Sequence, residues 1–214
     1  MKVIIPKKRD VPITGDEDPL VYYYLPIINY FYRMRLWMVL NLIRNYHFEH
    51  LLDIGYGSGI FFPELSQYAE RLYGVDIHRN YEKVKNALKK YDIDAELRTG
   101  NILDLPYDDS QFDGIICISV LEHVSDLSKA ISEINRVLSA VGVMVFGFPV
   151  RNRLTSTFYT SVGFDYKTHH PSDHRTILKE INNQLKMIRC ITYPEIISMD
   201  FGLYVSCICK KNSC

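Results

Sequence analysis

The sequence predicts a doubly wound α/β domain, and three features carry that prediction. From His50 onward, short apolar runs alternate with segments of helical period, as strands alternate with helices. Phe112–Val120 is an almost unbroken apolar run, as expected of a parallel strand buried on both faces. Glycines recur at Gly55, Gly57 and Gly59, directly after the first apolar run, where a strand would turn into a helix.

The elements follow in order. Residues 1–19 are polar, with Pro6, Pro12 and Gly15, and read as an arm or a lid. Tyr22–Tyr46 is aromatic and helical in character. The pattern then gives a strand over His50–Ile54, a helix over Ile60–Tyr68, a strand over Arg71–Ile77, a helix over Tyr81–Tyr91 and a strand over Asp94–Arg98. After the Phe112–Val120 strand, Leu127, Ile131, Ile134 and Leu138 recur at helical spacing, with Asp126 placed to cap the start and Gly142 just past the end. Val143–Phe148 reads as another buried strand and Arg175–Leu185 as the last helix, with Ser172 or Asp173 as its cap. Met187–Thr192 and Phe201–Lys210 read as a final antiparallel pair. The division is therefore an arm and aromatic cap over 1–45 and a core over 46–214, with 150–174 as a long connection after the fifth strand.

A chain of 214 residues suits one domain with a sizeable core. Lys+Arg and Asp+Glu are both 25, which argues against long-range attraction to nucleic acid or to an anionic membrane. The five cysteines are odd in number and show no CxxC spacing. They read as small hydrophobes in a reducing, cytoplasmic setting rather than as a disulfide framework or a zinc site. Met1–Asp10 lacks the apolar stretch of a signal peptide. Leu20–Ile43 is the most hydrophobic long segment, but Pro26, Arg33 and Arg35 argue against stable membrane insertion. Arg33 and Arg35 read as solvated charges, or as partners for an acidic substrate.

The chemistry concentrates at the strand ends. Leu51–Ile54 runs into Gly55-Tyr56-Gly57-Ser58-Gly59, a GxGxG turn with an acid two residues ahead of it. A dinucleotide fold would want a glycine at position 60, which is Ile60, so a nicotinamide-dependent oxidoreductase is disfavoured. Asp76 ends the second strand, 19 residues beyond Gly57. A carboxylate there can accept from both hydroxyls of an unphosphorylated ribose; the plainer role is a cap for the helix near Asn80.

These pieces are followed by Gly100-Asn101-Ile102-Leu103-Asp104-Leu105-Pro106, Phe112-Asp113-Gly114-Ile115-Ile116 and Ser119-Val120-Leu121-Glu122-His123-Val124. In this order, over roughly residues 45–149, they resemble the class I S-adenosylmethionine methyltransferases, in particular the branch with ubiquinone- and sterol-type enzymes. The resemblance implies a Rossmann-like, seven-stranded, mostly parallel sheet with its last strand antiparallel, and S-adenosylmethionine as cofactor. It places Asp53 and the backbone of Gly55, Tyr56 and Gly57 at the methionine end, Asp76 on the ribose and Ile77 on the adenine. Asn101 and Ile102 would meet the adenine edge, and Ile118, Ser119 and Val120 the methionine moiety. Tyr56 stands where the family often has a smaller residue, so it is expected to line the pocket. Asn101 replaces a frequent aspartate, but its amide oxygen can still accept from the adenine amino group.

Methyl transfer is mostly positioning, although an oxygen or nitrogen acceptor can need a base. His123 is the candidate base; the plainer reading has it start the next helix and contact cofactor or core. The segment Thr168–His174 is rich in histidine and lies where the family builds its acceptor pocket. His169 and His170 are candidate substrate contacts there, with Tyr30 from the aromatic cap. Pro171 limits how His169, His170 and His174 converge, so no metal is expected. The function expected is methylation of a small-molecule acceptor, without nucleic acid; the alternative is a noncatalytic cofactor-binding or partner module of the same fold.

Overall fold

The computed structural model describes residues 3–15, 18–152, 155, 171–195 and 198–212. His169 and His170, and most of the 150–174 connection, lie outside them.

Seven strands form one sheet: β1 (Phe48–Ile54), β2 (Ala69–Asp76), β3 (Ala95–Thr99), β4 (Phe112–Ile118), β5 (Leu138–Pro149), β6 (Leu185–Tyr193) and β7 (Tyr204–Lys211). Their order is β3-β2-β1-β4-β5-β7-β6. Pairing is parallel from β3 through β5, and β7 inserts antiparallel between β5 and β6. This is the expected mostly parallel, seven-stranded sheet with an antiparallel last strand. The order reverses direction between β1 and β4, where an open α/β sheet leaves a crevice at its carboxyl edge.

The period of two along the strands sends alternate side chains to opposite faces. On one face, Leu51, Ile116, Val145 and Tyr204 pack with α1 (Ile28–Ile43), α2 (Phe62–Leu65) and α3 (Tyr81–Lys89). On the other, Leu52, Ile115, Phe146 and Val205 pack with α4 (Leu127–Val137) and α5 (His174–Gln184). Val3, Val11, Leu20 and Tyr23 of the N-terminal arm join the α1 face. Beyond Met34, α1 is therefore buried on most of its circumference, held between sheet and arm. Asp126 caps α4 through the Lys129 amide at 3.0 Å, and Asp173 caps α5 through the Thr176 amide at 2.8 Å.

Three expectations need correction. The helix expected over Ile60–Tyr68 shrinks to Phe62–Leu65: Pro63 starts it, and the chain must already be extended at Ala69 to enter β2. Gly142 does not end α4. That helix stops at Val137, and β5 begins at once, with a register irregularity between the Phe112 and Gly114 pairings that takes up residues 139–142. Arg35 is not a solvated charge; it is 7% exposed on the sheet side of α1. Cys117, Cys207 and Cys209 are buried free thiols, as the sequence suggested. Among the described residues no helix is long and apolar enough to cross a membrane.

Candidate functional site

The crevice is built where β1 hands over to the glycine turn. Gly55, Gly57 and Gly59 all have positive φ. Gly55 shows why a side chain is excluded: at φ +76°, a Cβ would lie 2.2 Å from Val120 Cγ2, so the turn passes directly against the tip of β4. Gly57, at φ +52°, instead faces open space, leaving room for a ligand over its backbone.

Asp76 closes this turn from β2. Its Oδ2 accepts the Gly57 amide at 2.8 Å and its Oδ1 the His78 amide at 3.2 Å. His78 braces the turn from the other side, its Nε2 lying 2.8 Å from the Gly57 carbonyl and its Nδ1 accepting the Asn80 amide at 3.1 Å. Since Nδ1 accepts, the proton sits on Nε2, which donates to Gly57. Asn80 Nδ2 donates to the Thr14 carbonyl at 2.8 Å, tying the arm to the same assembly. Asp76 thus arranges the loop before any ligand arrives, and carboxylate lone pairs remain for hydroxyl donors.

Beside the turn lies a cavity of about 120 Å³ whose wall includes Asp18, Tyr23, Arg35, Asp53, Tyr56 and Ser119. Asp53 is 5% exposed, and burial, with the Asp76 charge adding, holds its carboxyl well above the usual carboxylate range. Tyr56 lines the cavity, and its hydroxyl is buried without a partner. Arg35 stacks 4.1 Å from the Tyr32 ring centroid, while Tyr23 and Tyr204 flank it at 5.9 and 5.8 Å. Its Nη1 donates to Ser119 Oγ at 2.9 Å and its Nη2 to the Tyr23 hydroxyl at 3.3 Å. Ser119 holds a non-glycine φ of +54°, and its Oγ also meets the Tyr204 hydroxyl at 2.9 Å. Ser119 is thus a strained residue at the tip of β4, held by Arg35 of α1 and Tyr204 of β7.

The other sequence candidates lie around this centre. Ile118 also lines the cavity, and Val120 packs on Gly55. Ile77 is 77% exposed, an apolar side chain at the tip of β2 with room for a flat ligand. Asn101 is exposed, but its Oδ1 already accepts the Leu103 amide at 3.0 Å, leaving one lone pair and the Nδ2 group for recognition. The Ile102 side chain is buried in the core, so only its backbone can face the crevice. His123 is exposed on the turn Leu121–His123 and is not part of the cavity wall, whereas its neighbour Glu122 is buried. Tyr30 is 54% exposed and outside the wall, its hydroxyl 2.9 Å from that of Tyr193.

Four residues of this assembly escaped the sequence reading: Arg35 as a buried group, His78, Glu122 and Tyr204. His78 had a local signal, two positions beyond Asp76. Tyr204 had none, because only the insertion of β7 beside β5 brings it to Ser119.

Residues 52–146, from the end of β1 into β5, match the family model described as a methyltransferase domain. The chain is 38% identical over 95 residues to an uncharacterized protein of Methanocaldococcus jannaschii, covering 44% of this chain and 38% of the other. It is 29% identical over 119 residues to the ubiquinone biosynthesis O-methyltransferase of Coxiella burnetii, covering 55% and 50%. The chain thus spans half or less of the length of these relatives. Among solved structures, the PH0226 protein of Pyrococcus horikoshii superposes with a TM-score of 0.71 at 18% identity, over 89% of this chain and 95% of the other. The N-methyltransferase NodS of Bradyrhizobium japonicum, in complex with S-adenosyl-l-homocysteine, gives 0.69 at 19% identity, over 94% and 95%. At these identities, the two structures establish the shared fold.

Proposed function

We propose that this chain is a class I S-adenosylmethionine-dependent methyltransferase acting on a small-molecule acceptor. The observation that carries the reading is the closed assembly of Asp76 on Gly57, set beside a cavity that presents Asp53 and Arg35. The donor set fits the cofactor part by part. Asp76 offers a carboxylate to ribose hydroxyls, and Ile77 an apolar face to the base. Asp53 and Arg35 offer opposite charges to the ammonium and carboxylate of an amino-acid moiety. An ammonium beside Asp53 would favour its ionised form, so the burial cost that the free site carries is offset on binding. The bound cofactor supplies an electrophilic methyl group; the protein aligns the acceptor and excludes water.

Ile60, where a dinucleotide site wants glycine, is 6% exposed in the core and speaks against a nicotinamide cofactor. Likeness to the ubiquinone biosynthesis enzyme supports the ubiquinone/sterol-type branch. The balanced charge argues against a nucleic-acid acceptor, and the buried thiols suit a reducing cytoplasm. His123 retains a role only toward an acceptor approaching from outside the cavity.

Calorimetry tests the reading. S-adenosylmethionine and S-adenosylhomocysteine are expected to bind and NAD not to bind. Asp76→Ala is expected to weaken cofactor binding by ~2–3 kcal/mol, because the lost hydrogen bonds are charge-assisted. Binding of NAD without S-adenosylmethionine would overturn the proposal.

A further inference from the structure

Glu122 follows β4 directly, and its side chain is 3% exposed. Its Oε2 is buried without a hydrogen-bond partner. The carboxyl bonds to Ser119, which lines the cavity and whose Oγ also holds Arg35 and Tyr204. One hydrogen bond therefore separates a buried carboxyl from the cavity wall. The turn itself is pinned, since the Ser172 amide donates to the Glu122 carbonyl at 3.3 Å. A buried acid with a spare oxygen is costly unless it is used.

The groups around it leave its proton free to respond to the cavity. Arg35 approaches from α1, Cys117 from β4, Ser119 from just past its end, and Tyr204 from β7. The start of α5 packs on the same turn and carries His174, and His123 is the neighbour on the turn itself. Burial holds the Cys117 thiol and the Tyr204 phenol well above their ordinary ranges, so both are neutral near pH 7. Burial likewise pushes Glu122 up to about 8; its own amide, Arg35 and Ser119 offset only part of that rise.

We propose that Glu122 is the proton-holding group of the transfer site: ionised while a sulfonium cation occupies the cavity, and protonated at Oε2 by the acceptor's own proton once the methyl group has moved. This rests on the cofactor reading above. The charges balance. The acceptor atom loses one proton and keeps the electron pair that forms its new bond to carbon. The methyl group leaves sulfur, which retains the electrons of the broken bond and becomes neutral. Glu122 gains the proton through Ser119 and becomes neutral at the same time. The acceptor class follows: the methylated atom carries a hydrogen, as in a hydroxyl or a primary or secondary amine, and not a thioether or tertiary amine.

The test needs no acceptor. S-adenosylmethionine and S-adenosylhomocysteine share the amino-acid and nucleoside parts, so the ratio of their affinities cancels Asp53 and Asp76 and reports the sulfonium charge. A cation that favours ionised Glu122 binds weakly where the carboxyl must first lose a proton. Calorimetry on the wild type is therefore expected to show this ratio rising about tenfold from about pH 7 to about pH 9, with proton release in the lower part of that range. In Glu122→Gln the ratio is expected to be flat, with S-adenosylhomocysteine affinity retained. Glu122→Asp, which keeps an acid, is expected to restore a rise with a displaced midpoint. A flat wild-type ratio, or the same rise with the same midpoint in both variants, overturns the role of Glu122 and leaves the cofactor reading standing. Failure of both compounds to bind the wild type overturns the cofactor reading and this one with it.

Discussion

Gly55→Ala, with and without Val120→Ala, measures how tightly the glycine turn is wedged against the tip of β4. The added Cβ meets Val120 Cγ2 at 2.2 Å, more than an ångström inside ordinary contact, while Val120 Cβ is 3.6 Å away. Val120 is branched and stiff at χ1, so it cannot swing clear, and overpacking of this kind costs roughly 1–3 kcal/mol. The φ of +76° adds about 1–2 kcal/mol for any residue with a Cβ. Gly55→Ala alone is therefore expected to lose about 2–5 kcal/mol in urea unfolding. Val120→Ala removes the clashing methyl but leaves the backbone penalty, so the double variant should recover the steric part, a coupling of about 1–3 kcal/mol. Because Val120 follows Ser119, Gly55→Ala should also weaken S-adenosylhomocysteine binding, and the second substitution should restore part of it. A coupling within ~0.5 kcal/mol of zero would refute the wedge, leaving backbone strain alone to explain the glycine.

Two further outcomes are expected. The raised value of Glu122 has a thermodynamic sign: above the ordinary value of 4.5 the unfolded chain ionises while the folded one stays protonated, so stability from this group falls as pH rises toward about 8. Glu122→Gln should therefore gain on the wild type across that window, by up to something on the order of 3–5 kcal/mol near pH 8, and denaturation curves at several pH values showing a constant difference would contradict this. Removal of residues 1–15 takes away the Thr14 carbonyl that anchors Asn80, the Pro6 carbonyl bound by the Tyr24 hydroxyl at 2.7 Å, the Lys7 amide bound to the Tyr91 hydroxyl at 2.8 Å and the contact of the Ile4 amide with Glu64. That truncation is expected to weaken S-adenosylhomocysteine binding about 3–10-fold, the worth of one or two neutral hydrogen bonds, and unchanged affinity in calorimetry would show that the arm does not brace the turn.

Much of this was readable from residue order alone, for a physical reason. Burial on both faces writes β4 as an apolar run, and the amphipathic period writes α4 with Asp126 at its cap. The glycine turn and Asp76 were legible because backbone conformation and a fixed spacing demand them. What stayed hidden depends on pairing between distant segments. Arg35 looked solvated because a guanidinium usually is; only the aromatic cage of Tyr23, Tyr32 and Tyr204 makes its burial affordable. Glu122 was overlooked beside His123 because side-chain direction on a tight turn is invisible to periodicity, and the structure turns the acid inward and the histidine outward. The short α2 was misjudged because the spacing to β2, not the propensity of its residues, sets its length.

The insertion of β7 between β5 and β6 has a consequence for biosynthesis. The ribosome releases the glycine turn, Asp76 and the tip of β4 well before Tyr204, whose hydroxyl steadies Ser119. Until β7 has been threaded between its two neighbours, a nascent chain can pair β1 through β5 and still leave Ser119 and Arg35 without that support. Assembly of the cavity is thus deferred until β7 has been made, and a chain stalled before that strand would hold a folded scaffold around an unfinished cavity.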